Sequence, residues 1–84
     1  MSHDPGFKSG EEKLIYMANQ IADTFQAMQP HDAVNETADH INKFWEPRMR
    51  RHLFEIIERG GQGLKPLVLE AAPKVKRPRE EAGV

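Results

Sequence analysis

His40-Ile-Asn-Lys-Phe-Trp-Glu-Pro-Arg-Met-Arg-Arg51 is the stretch on which the reading of this chain turns. On its left, Ile41, Phe44 and Trp45 complete an apolar pattern of helical period. On its right, Met49 opens a second one. Between them stands Glu46-Pro47. A residue before proline is steered away from helical backbone geometry. Proline itself suits the first position of a helix, where its missing N–H would have had no intrahelical partner. The stretch is therefore an elbow, a helix stop followed at once by a helix start. Arg48, Arg50, Arg51 and His52 then fall in the first turn and a half of the new helix, where the helix dipole disfavours each cation by about 0.3–1 kcal/mol. A local penalty of this kind points to a gain elsewhere, and an Arg cluster beside the only Trp suits contact with an anion or a protein partner.

Working outward from the elbow, the sequence reads as helix throughout. Val34, Ala38, Ile41 and Trp45, with Phe44 widening the stripe, predict a helix over 33–44 that Asp32 can cap. Before it, Gln29-Pro30 ends a helix over 10–28, whose Leu14, Met17, Ala18, Ile21, Phe25 and Met28 recur at spacings of three and four. Ser9 followed by Glu12 fits a capping box at its start. Beyond the elbow, Met49, Leu53, Ile56 and Ile57 mark a third helix over 47–59, with Arg51–Glu55 and Glu55–Arg59 as i,i+4 pairs. Gly60-Gly61 supplies the left-handed backbone that ends it. A short helix over 66–72 can close Leu64, Leu67, Val68 and Ala71 over the others, and Pro73 stops it. No alternation suggests a strand, and no repeat or linker divides the chain. The expected fold class is all-α: a small bundle of three helices plus a short fourth in one domain, 9–73. A flexible tail over 1–8 and a disordered, charged, Pro-rich tail over 74–84 flank it.

Composition narrows the function classes. A chain of 84 residues buries only about 60–65% of its extended surface on folding, so the core is thin and a partner could complete it. The absence of Cys excludes disulfides, thiol catalysis, Cys-based zinc sites and iron–sulfur ligation within the chain. The N-terminal residues lack the pattern of a secretory signal. No apolar run approaches the roughly 18 residues that span a bilayer, so a soluble, cytoplasmic protein with no membrane partner is expected. Charge is unevenly spread. Met1 to Trp45 holds seven acids and three bases, a balance of −4, whereas Glu46 onward holds nine bases and six acids, a balance of +3. Such a split steers docking between complementary surfaces.

No catalytic, cofactor-binding or metal-binding residue is expected. Ser2 and Ser9 are the only serines, and neither has a rigidly held base beside it. His3, His31, His40 and His52 do not form the His pair with an intervening Glu of a zinc hydrolase. Gly60-Gly-Gln-Gly63 lacks the preceding strand and the Lys-Ser/Thr of a phosphate loop. One alternative is a free-standing helical nucleic-acid-binding module, with Arg48, Arg50 and Arg51 on phosphates and Trp45 stacked on a base. Against it, Glu46, Glu55 and Glu58 interrupt the basic surface and the net charge is −1.

The residues also carry a family resemblance. Lys13-Leu-Ile-Tyr-Met-Ala-Asn-Gln-Ile-Ala22, followed by His40 through Arg50, resembles the delta subunit of soluble NAD-dependent formate dehydrogenases. The similarity continues into Gly63-Leu-Lys-Pro-Leu67 and Ala71-Ala-Pro73. Its most specific string is Lys43-Phe-Trp-Glu-Pro-Arg-Met-Arg50. The resemblance implies a non-catalytic accessory subunit in a hetero-oligomer, one that binds and stabilises, or helps to mature, the alpha subunit. That large subunit would hold bis-molybdopterin guanine dinucleotide with molybdenum or tungsten and oxidise formate. Iron–sulfur clusters, FMN and NAD would lie on partner subunits of the complex with beta and gamma. No cofactor is implied for this chain. Carried over by position, Asn19, Gln20, His40, Lys43, Trp45, Arg48 and Arg50 are expected at the partner interface. Met17, Ile21, Ile41, Phe44 and Met49 are expected in the core, and Trp45 suits the core as well as the interface.

Overall fold

The computed structural model describes residues 10–78. The elements are α1 (Gly10–Phe25), α2 (Pro30–Phe44), α3 (Pro47–Glu58) and α4 (Pro66–Ala71), followed by a 3₁₀ turn, Ala72–Lys74; no strand occurs among the described residues. The fold is all-α, as expected.

Proline sets the punctuation. α2, α3 and α4 each begin on a proline, and none has a side-chain cap. The residues ahead of them, Gln29 (φ −55°, ψ 143°), Glu46 (φ −68°, ψ 157°) and Lys65 (φ −69°, ψ 153°), are extended, as the ring of a following proline demands. Pro30 thus starts α2 rather than merely stopping α1, which ends three residues earlier than its apolar pattern suggested; Met28 lies exposed in the connecting turn. Asp32, expected as the cap, sits instead in the first turn of α2, where its charge still favours the positive end of the helix. The Ser9 cap lies outside the described residues. Glycine closes α3. The Gly61 N–H bonds to the Ile56 carbonyl at 2.9 Å and the Gly60 N–H to the Ile57 carbonyl at 3.0 Å. Both glycines have positive φ, 116° and 66°, which only glycine adopts without strain.

Small residues let the helices approach. Ala18 and Ala22 on α1 and Ala38 on α2 are buried alongside Ile41, Leu53, Phe54, Ile56, Leu64 and Val68. Thr37 is fully buried on α2, and its hydroxyl has no hydrogen-bond partner among the described residues. A buried polar group left unpaired costs about 1–3 kcal/mol. Thr37→Val keeps the shape and deletes that group, so it is expected to stabilise the chain by about 1 kcal/mol and raise the melting temperature by about 4–8 °C. A lower melting temperature would show that the hydroxyl is satisfied.

Polar contacts then fasten the second half of the chain to the first. Arg59, expected to pair with Glu55, reaches Glu11 on α1 at 2.6 Å, with His52 3.6 Å from the same carboxylate oxygen. The Arg59 hydrogen bond, with the His52 contact behind it, holds the Glu11 carboxyl below its ordinary value. The Asn19 side chain brackets the loop before α4. Its Nδ2 donates to the Gly63 carbonyl and its Oδ1 accepts from the Lys65 N–H, both at 2.9 Å. Lys65 also pairs with Asp23.

The expected disorder from residue 74 onward is corrected for 74–78. Val75 is buried. Asn42 brackets this segment as Asn19 brackets the other: its Nδ2 donates to the Lys74 carbonyl at 3.1 Å and its Oδ1 accepts from the Lys76 N–H at 2.7 Å. Arg77 lies over the Phe54 ring, 4.1 Å from its centroid, and bonds Glu58 at 3.3 Å. One buried valine and the backbone bonds at Lys74 and Lys76 hold in place a stretch whose composition reads as solvated. The expected tails over 1–8 and 79–84 lie outside the described residues.

Candidate functional site

The two family-like strings meet in space. α1 contributes Tyr16, Met17, Gln20 and Ile21, the end of α2 contributes His40, Phe44 and Trp45, and α3 contributes Met49. Together they line an open groove of about 480 Å³. The elbow creates it, because α3 leaves α2 at Glu46-Pro47 and no described element covers the outer side of the α2 terminus. Phe44, expected in the core, is corrected here: it is 68% exposed, whereas Trp45 is only 6% exposed. Trp45 is the extended residue that caps α2 (φ −89°, ψ 133°), and that change of backbone direction turns its ring into the core, with only an edge on the groove, while Phe44 stands out beside it. His40, one turn before Phe44, has its ring centroid 4.6 Å from that of Phe44 and 6.2 Å from that of Phe25. An aromatic row thus runs from α1 across α2 to the elbow.

The residues expected at the partner interface divide three ways. Gln20 and His40 line the groove. Lys43 and Arg48 are exposed near its α2–α3 end; Lys43 pairs with Asp39 at 3.1 Å, while Arg48 makes no ion pair among the described residues. Asn19 and Arg50 are turned to internal roles, and Trp45, although it borders the groove, is almost wholly buried. Asn19 holds the loop before α4. Trp45 packs in the core. Arg50 is half-buried and its Nη1 donates to the Lys76 carbonyl at 2.6 Å. Tyr16 and Phe44 were missed as surface residues. Tyr16 lay in the quoted string and is nearly half exposed, so its place one turn before Gln20 was the available signal.

The groove has an apolar floor, a few polar groups at its edges and the exposed Arg48 guanidinium beside it. That arrangement suits noncovalent docking. Among the described residues, no three His, Asp or Glu side chains converge in a metal-binding arrangement, and no helix is long and apolar enough to cross a membrane.

Fold and groove together define a small all-α protein with an open aromatic groove at the elbow between α2 and α3. The sequence model of the NADH-dependent formate dehydrogenase delta subunit, FdsD, matches residues 13–72, and the chain belongs to this family. No curated protein and no solved structure matches it significantly. The matched span contains every residue of the groove and ends just before the segment that Asn42 holds.

Proposed function

We propose that the chain is a non-catalytic accessory subunit that docks through the groove at the elbow onto the large alpha subunit of a formate dehydrogenase. Docking stabilises that subunit or assists its maturation. The observation that carries this reading is the exposure of Phe44, within the family-matched span and beside Tyr16, Met17 and Met49. Scattered apolar residues on a surface are ordinary. An exposed aromatic clustered with methionines and a second aromatic has the composition of an interface centre. Gln20 and His40 supply hydrogen bonds at its edge, and Arg48 is available to a partner carboxylate in bidentate geometry. An apolar floor of this kind gives a nucleic-acid backbone nothing to bind. The redox groups, bis-molybdopterin guanine dinucleotide with molybdenum or tungsten, iron–sulfur clusters and FMN, belong in this reading to the partner subunits.

Co-purification tests it. A tagged chain expressed with the other subunits is expected to retain the alpha subunit through size-exclusion chromatography. A chain that elutes alone, with a complex that forms and works equally well without it, would sink the proposal.

A further inference from the structure

The backbone of Lys76 joins the two sides of the elbow. Its N–H donates to the Oδ1 of Asn42 on α2 at 2.7 Å, and its carbonyl accepts from the Nη1 of Arg50 on α3 at 2.6 Å. Asn42 and Arg50 flank Trp45-Glu46-Pro47 on opposite sides. The Arg50 guanidinium is drawn in far enough that its Nε is buried without a hydrogen-bond partner among the described residues. Val75 anchors the segment from below and Arg77 anchors it over Phe54.

We infer that residues 74–78 are a brace that fixes the angle between α2 and α3 and so preshapes the docking groove. Asn42 and Arg50 are positioning residues that act through the Lys76 backbone. The brace lies beyond the family-matched residues 13–72, yet it grips residues within them. Phe44, Trp45 and Met49 lie on the two arms whose angle it sets. Without it, the elbow would rest on two extended residues, Trp45 (φ −89°, ψ 133°) and Glu46 (φ −68°, ψ 157°), and on core packing alone. A groove held open in its bound shape gains affinity because less ordering remains to be done on binding. The consequence for binding rests on the docking reading above. The brace itself is visible without a partner, because Trp45, the only Trp, is buried at the elbow and its emission moves to longer wavelength if the elbow opens and admits water.

Backbone substitution separates the brace from the Lys76 side chain. Val75 is extended (φ −82°, ψ 130°) and so already accepts a following proline. In the full chain, Lys76→Pro deletes the bond to Asn42, whereas Lys76→Ala leaves both backbone bonds. Lys76→Pro and Asn42→Ala are expected to shift Trp45 emission to longer wavelength with helicity by circular dichroism retained. They are also expected to weaken retention in the formate dehydrogenase complex about tenfold, the factor that loss of a hydrogen bond or two carries. Lys76→Ala is expected to change neither. The brace is overturned if Lys76→Pro and Asn42→Ala leave Trp45 emission unmoved. It is equally overturned if both unfold the helices, since the segment would then be part of the core. Phe44→Ala provides the separate arm. If it leaves retention intact while Lys76→Pro still shifts Trp45 emission, the groove is not the docking surface and the brace stands.

Discussion

Phe44→Ala is expected to lower the affinity of the chain for the rest of the formate dehydrogenase complex by about 30- to 1,000-fold, while the melting temperature of the isolated chain moves by only a few degrees. The size of the loss is that of a central aromatic anchor, about 2–4 kcal/mol on truncation to alanine. The small effect on folding follows from the exposure of Phe44. Its ring gives the fold little beyond its contact with His40, and surface substitutions of that kind cost within about 0.5 kcal/mol. Titration of the complex with the variant, beside a thermal melt, measures both quantities. A variant that binds as the parent does would remove Phe44 from the interface. A variant that melts far lower would show that Phe44 belongs to the core after all.

Trp45→Ala has the opposite outcome, although the two residues are neighbours in sequence. Trp45 is buried among α1, α2 and α3 residues of the core. Truncating a buried Trp costs about 3–5 kcal/mol, in lost transfer free energy and in the cavity left behind. Native domains hold about 0.05–0.15 kcal/mol per residue, or about 4–13 kcal/mol over 84 residues. The substitution therefore removes a large share of the total, and the melting temperature is expected to fall by about 15 °C or more. Any loss of binding then follows the unfolded fraction and recovers on cooling. If Trp45→Ala melts like the parent and fails only to bind, Trp45 is an interface residue and its burial in the isolated chain is incidental.

The same contrast separates what was legible from what was not. Helix starts were legible because a proline ring acts on its own neighbour: Pro47 and Pro66 were read as first helical positions, and both are. Gly60-Gly61 was legible as a stop for the same reason, since positive φ is a local demand. Face assignment was less secure. At the end of α2, Phe44 and Trp45 both fit an apolar stripe, and only the direction in which α3 leaves decides which of them is covered. Asn19 and Arg50 lie in the family-like strings and were expected at the interface for that reason. Their partners lie 44 and 46 residues away for Asn19 and 26 for Arg50, far beyond anything helical periodicity encodes. The segment 74–78 was misread as disordered because composition averages over a window. Val75 and the bonds to Asn42 and Arg50 are single features, not averages.

By itself, then, the sequence determined the helices, their approximate ends, the all-α class and the resemblance that the family match bears out. Each of these depends on interactions within a turn or two of chain, or on residue identity alone. Tertiary structure decided which residue at the elbow is buried, which of the expected interface residues are free to meet a partner, and how the C-terminal segment ties α2 to α3. Those outcomes depend on what lies across the molecule from each side chain, and that is fixed only when distant parts of the chain are brought into contact.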